Sequence, residues 1–270
     1  MSCYHPLTVW KYPGDKSPIV FTPQPSPYEQ LRIPCGKCSG CRADQSLMWS
    51  IRAYHESTLH DRNCFVTLTY DDAHLPADGL IIKKHLQDFF KRLRRSLAPD
   101  KVRYIACGEY GDKTHRPHYH AILFGQDFRF DKVSINSDLY TSPYLVERWG
   151  MGNVVIAPVT MSSICYVCGY VFKKIGDPDT FSLASRRPPI GHNWLAKFHD
   201  DISRTGTVSI DGKEYPVPKR YLEWGMDEFE HLKVARKEFA LKNAHKATDK
   251  ALDNLEANRL AKLKGKKEKL

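Results

Sequence analysis

The chain has no run of eighteen or more apolar residues, so no membrane-spanning helix is expected. It also lacks a G-x-x-x-x-G-K-[ST] loop, and nothing in the sequence supports an ATP-driven helicase. No tandem repeat is visible. The opening residues, Met1-Ser-Cys-Tyr-His-Pro, lack the basic and apolar regions of a secretory signal. An intracellular setting is therefore expected, in which the eight cysteines are reduced thiols or metal ligands rather than disulfides. Acidic residues are in deficit: 31 Asp and Glu against 41 Lys and Arg leave a formal charge of +10. That excess serves solubility, and it also favours a polyanionic partner.

A length of 270 residues suits one domain of ordinary size with appendages. Residues 1–34 are proline-rich, with Pro13, Pro18, Pro23, Pro25, Pro27 and Pro34 breaking any helix, and read as an extended arm. A helix is expected from Arg42 to about His60, and a β-branched, aromatic strand over 65–70. Lys83 to Leu97 carries Leu86, Phe89, Phe90, Leu93 and Leu97 at helical spacing, with basic residues between them. Strands at 102–109 and 118–124 form a hairpin, and Ser142 with Pro143 starts a short helix that ends near Trp149. A further strand covers 153–157, and Ser162 or Ser163 caps the helix that follows. Asp211-Gly212 turns a small hairpin. From Met226 onward the composition favours a helix that frays into a basic tail. The expected fold is α+β, a central antiparallel sheet packed by helices. Its organisation is a Cys-rich arm and helix over 1–60, a main domain over 61–225 and a helical tail over 226–270.

Two features carry chemistry. His118 and His120 lie two apart in a strand, so both side chains share one face. Glu109 on the partner strand completes a His, His, carboxylate set, with Asp112 competing for the third place. Three protein ligands leave positions open for a phosphate beside Mg²⁺ or Mn²⁺. Tyr166 and Tyr170 lie one helical turn apart, and a tyrosine hydroxyl can attack that phosphate. A phenol is mostly protonated at neutral pH, so a cation beside it helps; Lys173 follows three residues after Tyr170, with Lys174 as the alternative. Bland readings exist for each: structural histidines in a half-buried strand, and tyrosines packed in a core.

Phe65-Val-Thr-Leu-Thr-Tyr70, Arg116-Pro-His-Tyr-His120 and Tyr166-Val-Cys-Gly-Tyr170-Val-Phe-Lys173 resemble, in order, the three motifs of HUH endonucleases that initiate rolling-circle replication. The Tyr-x-x-x-Tyr form is similar to the two-tyrosine branch of microviruses. Pro34-Cys-Gly-Lys-Cys-Ser-Gly-Cys-Arg42 and Ser185-Arg-Arg-Pro-Pro-Ile-Gly191 resemble the replication initiators of gokushovirus-type phages. The resemblance covers roughly residues 1–225 and implies a ferredoxin-like core in the host bacterial cytoplasm. It implies metal at His118, His120 and an acidic residue, with Tyr166 and Tyr170 as alternating nucleophiles. It further implies single-stranded or supercoiled viral origin DNA as substrate, with a host helicase and DNA polymerase as partners. A relaxase or transposase of the same fold is the enzymatic alternative.

Cys35-x-x-Cys38-x-x-Cys41 invites a structural metal, with Cys3 as a fourth sulfur for tetrahedral Zn²⁺. An iron–sulfur cluster and plain reduced thiols are the other readings. Cys165 and Cys168 are expected to pack a helix, and Cys64 and Cys107 to lie in the core. Lys83, Lys84 and Arg92 on one helix, Arg116 before the His pair, and Arg186 and Arg187 in a Pro-rich loop are candidate DNA contacts. Trp149, Trp194 and Trp224 are of a type that stacks unpaired bases. A rival from another class is a non-enzymatic zinc-containing nucleic-acid-binding regulator, which would bind without any covalent product.

Overall fold

Prolines punctuate the start of the chain, and between them the backbone pairs. The computed structural model describes residues 3–14, 17–111, 114–173 and 181–267; for 170–173 and 263–267 only the helical backbone is described. In chain order the first elements are β1 (Leu7–Lys11), β2 (Ile19–Val20), β3 (Glu29–Ile33), α1 (Ser39–Ser57), β4 (Asn63–Tyr70) and α2 (Lys83–Leu97). Next come β5 (Arg103–Tyr110), β6 (Pro117–Phe124), β7 (Val133–Ser134), β8 (Tyr140–Thr141), α3 (Pro143–Trp149), β9 (Gly152–Ala157) and α4 (Met161–Lys173). The last are β10 (Phe181–Ala184), α5 (His192–Thr205), β11 (Thr207–Ile210), β12 (Lys213–Pro216), α6 (Lys219–Trp224), α7 (Glu230–Lys242) and α8 (Asp249–Lys267).

Backbone contacts divide the chain into two units, residues 1–45 with 233–270, and residues 46–232. In the first unit β2, β1 and β3 form an antiparallel sheet in that order. This differs from the extended arm expected over 1–34. The prolines that forbid a helix lie outside the three strands, where a missing N–H costs no ladder bond. The C-terminal residues also differ from a single fraying helix, because they form α7 and α8. Arg32 donates to the Ala247 carbonyl (2.8 Å) and to Asp249 (2.5 Å), and His5 pairs with Glu256 (2.7 Å). Those bonds anchor α8 to the small sheet.

The second unit is built on a seven-stranded sheet, order β10-β5-β6-β4-β9-β8-β7, antiparallel at every pairing. Alternation along its strands sends Val66, Leu68, Tyr70, Ala106, Tyr119, Ala121 and Leu123 to one face. There they meet Leu86, Phe89, Phe90 and Leu93 of α2 and Leu145 and Trp149 of α3. Each fully buried side chain of that kind contributes roughly 1.5–3 kcal/mol. Ile105, Cys107, Ile122 and Phe124 face the other way, onto Ala53 of α1 and Ile164, Val167 and Cys168 of α4. The unit is therefore helix on sheet on helix, an α+β arrangement. A third cluster joins Ile51 of α1 to α5, α6 and the β11–β12 hairpin.

Local chemistry explains several boundaries. The Ser142 hydroxyl accepts from the Leu145 N–H and Pro143 occupies the first helical position, as expected. The α4 cap is Thr160 rather than Ser162 or Ser163. Its hydroxyl accepts from the Ser163 N–H (3.1 Å), while the Ser163 hydroxyl accepts from the Thr160 N–H (2.9 Å). That reciprocal pair is a capping box with serine in the place of glutamate. Asp211 and Gly212 both adopt positive φ, 50° and 73°, the geometry that suits a two-residue hairpin turn. No element was expected over 181–205, where β10 and α5 lie. β10 is a four-residue edge strand, and α5 departs from helical geometry at Phe198 (φ −124°, ψ 20°), which interrupts its apolar stripe.

Candidate active site

Strand register assembles the site. In the β5–β6 ladder Glu109 stands opposite His118, and in the β4–β6 ladder Thr67 stands opposite His120. Period-two alternation puts Glu109 on the face of Ile105 and Cys107, and His118 and His120 on the face of Ile122 and Phe124. All three therefore lie on the face that α4 covers. Tyr119, between the histidines, points the opposite way and is buried; its hydroxyl donates to the Ile82 carbonyl (2.9 Å) and accepts from the Ile82 N–H (3.1 Å). That anchor locks the strand against sliding.

The ligand atoms of Glu109, His118 and His120 lie within 4.8 Å of one another. Glu109 Oε1 is 3.0 Å from His118 Nε2, 2.7 Å from His120 Nε2 and accepts from the Tyr166 hydroxyl at 2.8 Å. His118 Nδ1 lies 3.1 Å from the Arg116 carbonyl, which can only accept, so that nitrogen carries the proton. His120 Nδ1 is 3.0 Å from the Thr67 hydroxyl, and its ring stacks on Phe65 with centroids 5.4 Å apart. Tyr166 sits edge-on to Phe65 and His120 and is 40% exposed, so its ring is packed while a substrate can reach it.

Burial raises the Glu109 carboxyl, but its interactions with His118, His120 and Tyr166 outweigh it and hold the group down to about 2. Burial pushes His120 below its ordinary value against the pull of Glu109, which favours the neutral imidazole. A carboxylate facing imidazole lone pairs calls for a shared cation. Consistent with that, Glu109 Oε2 is buried without a partner among the described residues, and buried His120 Nε2 makes no well-aligned hydrogen bond despite its closeness to Oε1. The donor set, one carboxylate and two imidazoles, suits a divalent ion of the Mn²⁺ type, or Mg²⁺ with retained water.

The remaining candidates are distributed as follows. Tyr170 and Lys173 belong to α4, but their side chains lie outside the described residues, as do Asp112 and Lys174 altogether. Cys3, Cys35, Cys38 and Cys41 converge, with sulfurs within 4.8 Å of one another. Cys64 and Cys107 are core; Cys168 is buried while Cys165 is exposed, so only one of that pair packs inside. Lys83 and Lys84 are exposed on α2, across the sheet from Glu109, and Lys84 pairs with Asp88. Arg92 donates to the Arg148 (2.8 Å) and Trp149 (3.0 Å) carbonyls, capping the end of α3. Arg116 donates to Asp72 (2.7 Å) and to the Tyr70 carbonyl (3.1 Å). Trp149 is fully buried, and Trp194 is stacked on His55, so neither has a free face matching that of a base platform.

Sequence reasoning missed Thr67, Phe65 and a buried pair beneath the Ser185–Gly191 loop. Glu56 pairs with Arg103 and accepts from the Gly191 N–H (2.8 Å), and Arg103 also donates to the Pro188 carbonyl (2.9 Å). Arg52 donates to the Ile190 carbonyl (3.0 Å), while Arg186 and Arg187 remain exposed on the loop so held. The one local signal for Thr67 was its place in the strand two residues after Phe65.

Comparison with known proteins agrees with this geometry. Residues 63–175 match the family model for the replication-associated protein ORF2. The chain is similar to replication-associated protein VP4 of Bdellovibrio phage phiMH2K, 36% identical over 215 residues that cover 71% of this chain and 67% of that one. It is 31% identical over 237 residues to replication-associated protein ORF2 of Spiroplasma virus 4, covering 77% and 74%. Replication-associated protein ORF4 of Chlamydia phage 1 is 31% identical over 209 residues, covering 70% of this chain and 52% of its own length. No solved structure matches the chain. With the matched segment spanning β4 through α4, and so every residue of the His, His, carboxylate site, the chain belongs to the replication-associated protein family of small single-stranded DNA phages.

Proposed function

We propose that this replication-associated protein is a metal-dependent DNA endonuclease and strand transferase that starts rolling-circle replication through tyrosine nucleophiles. The observation that carries the reading is the Tyr166 hydroxyl, 2.8 Å from the same Glu109 oxygen that both histidines face. Glu109, His118 and His120 would hold Mg²⁺ or Mn²⁺, which when bound supplies Lewis-acid polarisation of a phosphate.

The chain's own residues do the rest. Tyr166 oxygen attacks the scissile phosphorus, a P–O(Tyr) bond forms and the P–O3′ bond breaks. The phenol loses one proton and the departing 3′-oxygen gains one, so the exchange is balanced and needs no ATP. The free 3′-hydroxyl primes a host polymerase, and a host helicase opens the duplex. Tyr170, one turn further along α4, then cuts the regenerated origin, and the released 3′-hydroxyl attacks the first phosphotyrosine to close a circle. Lys173 stabilises the phenolate. Arg116, Arg186, Arg187, Lys83 and Lys84 supply phosphate contacts. Trp224 borders a cavity of about 350 Å³ with Trp49, Arg186 and Arg220, a setting in which cations and indoles can hold an unpaired base.

The test uses labelled single-stranded origin DNA with Mn²⁺ and a denaturing gel. Wild-type protein should give a covalent adduct, and each single Tyr→Phe variant should still give one while failing at circle closure. An adduct from the Tyr166→Phe, Tyr170→Phe double variant would overturn both nucleophile assignments.

A further inference from the structure

We propose that Cys3, Cys35, Cys38 and Cys41 bind a single zinc ion through four thiolates, fastening the N-terminal sheet to the first turn of α1. The site is independent of the endonuclease reading. Its ligands come from two places that only pairing brings together. The β1–β3 ladder sets Leu7 opposite Ile33, so Cys3, four residues before Leu7, meets Cys35, two residues after Ile33. Gly36 turns the chain with φ +75°, Cys38 directly precedes α1, and Cys41 lies in its first turn.

Distance discriminates among the fillings. Cys35 and Cys41 sulfurs are 4.0 Å apart, Cys3 and Cys38 sulfurs 3.9 Å, and all four lie within 4.8 Å. A tetrahedron with Zn–S bonds of about 2.3 Å has an S–S edge of about 3.8 Å. An iron–sulfur cluster must place several iron and sulfide atoms between its cysteines and would spread them further. A disulfide would need about 2.05 Å. Thiolates also select zinc over the hard ions suited to Glu109, His118 and His120, so the two sites take different metals.

The surroundings favour negative sulfur. Backbone N–H groups of Tyr4 (3.4 Å) and Cys41 (3.5 Å) point at Cys38, that of Cys35 (3.3 Å) at Cys3, and that of Cys38 (3.3 Å) at Cys35. The N-terminus of the 19-residue α1 adds its positive end. The need for a staple is visible in the core. Among the described residues this unit buries only Cys3, Tyr4, Val9, Cys41 and Leu252 as apolar side chains. So little apolar burial leaves a small unit dependent on a metal or another cross-link.

The experiment uses the full chain, purified in reducing buffer and dialysed without chelator. Elemental analysis should find about one zinc per chain. Exchange with Co²⁺ should give the intense thiolate-to-cobalt charge transfer and the strong d–d bands of a tetrahedral four-sulfur site. Cys38→Ser should lose the metal, whereas Cys165→Ser and the His118→Ala, His120→Ala double variant should retain it. The wild-type cobalt spectrum is decisive even where Cys38→Ser fails to fold. Metal-free wild-type protein whose four thiols react freely, two disulfides by mass, or an iron–sulfur absorption spectrum would each overturn the proposal. Loss of zinc in the His118→Ala, His120→Ala protein would also overturn it.

Discussion

Replacing Thr67 with valine removes one hydroxyl and keeps the shape and β-branching of a strand residue. Its Oγ1 lies 3.0 Å from His120 Nδ1, and that bond sets which ring nitrogen carries the proton and how the ring is aimed. His120 is only 6% exposed, so water cannot readily replace the lost partner. Orphaning that buried nitrogen should cost about 1–3 kcal/mol of folding stability. Because the ring is no longer oriented, affinity for the divalent ion should fall about 10- to 100-fold, the range for losing an outer partner of a metal-bound histidine. The Phe65 stack still holds the ring plane, so the chemistry at saturating metal should change little. The assay is adduct formation on single-stranded origin DNA across a Mn²⁺ titration, with thermal unfolding run in parallel. A Thr67→Val protein whose Mn²⁺ midpoint matched wild type would refute the positioning role, and equal loss at every metal concentration would assign Thr67 to something other than metal affinity.

Three further outcomes are expected. His118→Ala or His120→Ala should each abolish cleavage while gel-shift affinity for DNA changes little, and a chelator should reproduce that result in the wild-type protein. Gly191→Ala should lower stability by roughly 1–3 kcal/mol, the usual cost of forcing a side chain into strained backbone, because φ is +80° and the new Cβ would lie 2.5 Å from the Tyr221 hydroxyl; an unchanged melting temperature would count against it. Burial raises the Glu56 carboxyl, but His60, the Gly191 N–H and Arg103 outweigh it and hold the group below its ordinary value. A depressed folded value means that its stabilisation is present above the unfolded value and is lost as pH falls through the folded one. Glu56→Gln should therefore be less stable at neutral pH and show a flatter acid limb in denaturant unfolding.

Local rules made much of this protein legible. Period-two alternation put His118 and His120 on one face, and the 3.6-residue repeat of Leu86, Phe89, Phe90 and Leu93 gave α2 its observed bounds. Ser142 with Pro143, and Asp211 with Gly212, set a helix start and a hairpin turn through bonds and dihedrals within a few residues. Those signals need no knowledge of the rest of the chain. What tertiary structure decided is pairing across distance: the register that sets Glu109 opposite His118 and Thr67 opposite His120, and the side of the sheet on which α4 carries Tyr166 to that carboxylate. Arg92 reads as a phosphate contact until its carbonyl partners fifty-six and fifty-seven residues away are known. The proline-rich start reads as an arm until β1 and β3 pair and bring Cys3 to Cys35. Composition and spacing record the forces between neighbours; register and face are settled by burial and hydrogen bonding summed over the whole sheet, and no short stretch of sequence contains that sum.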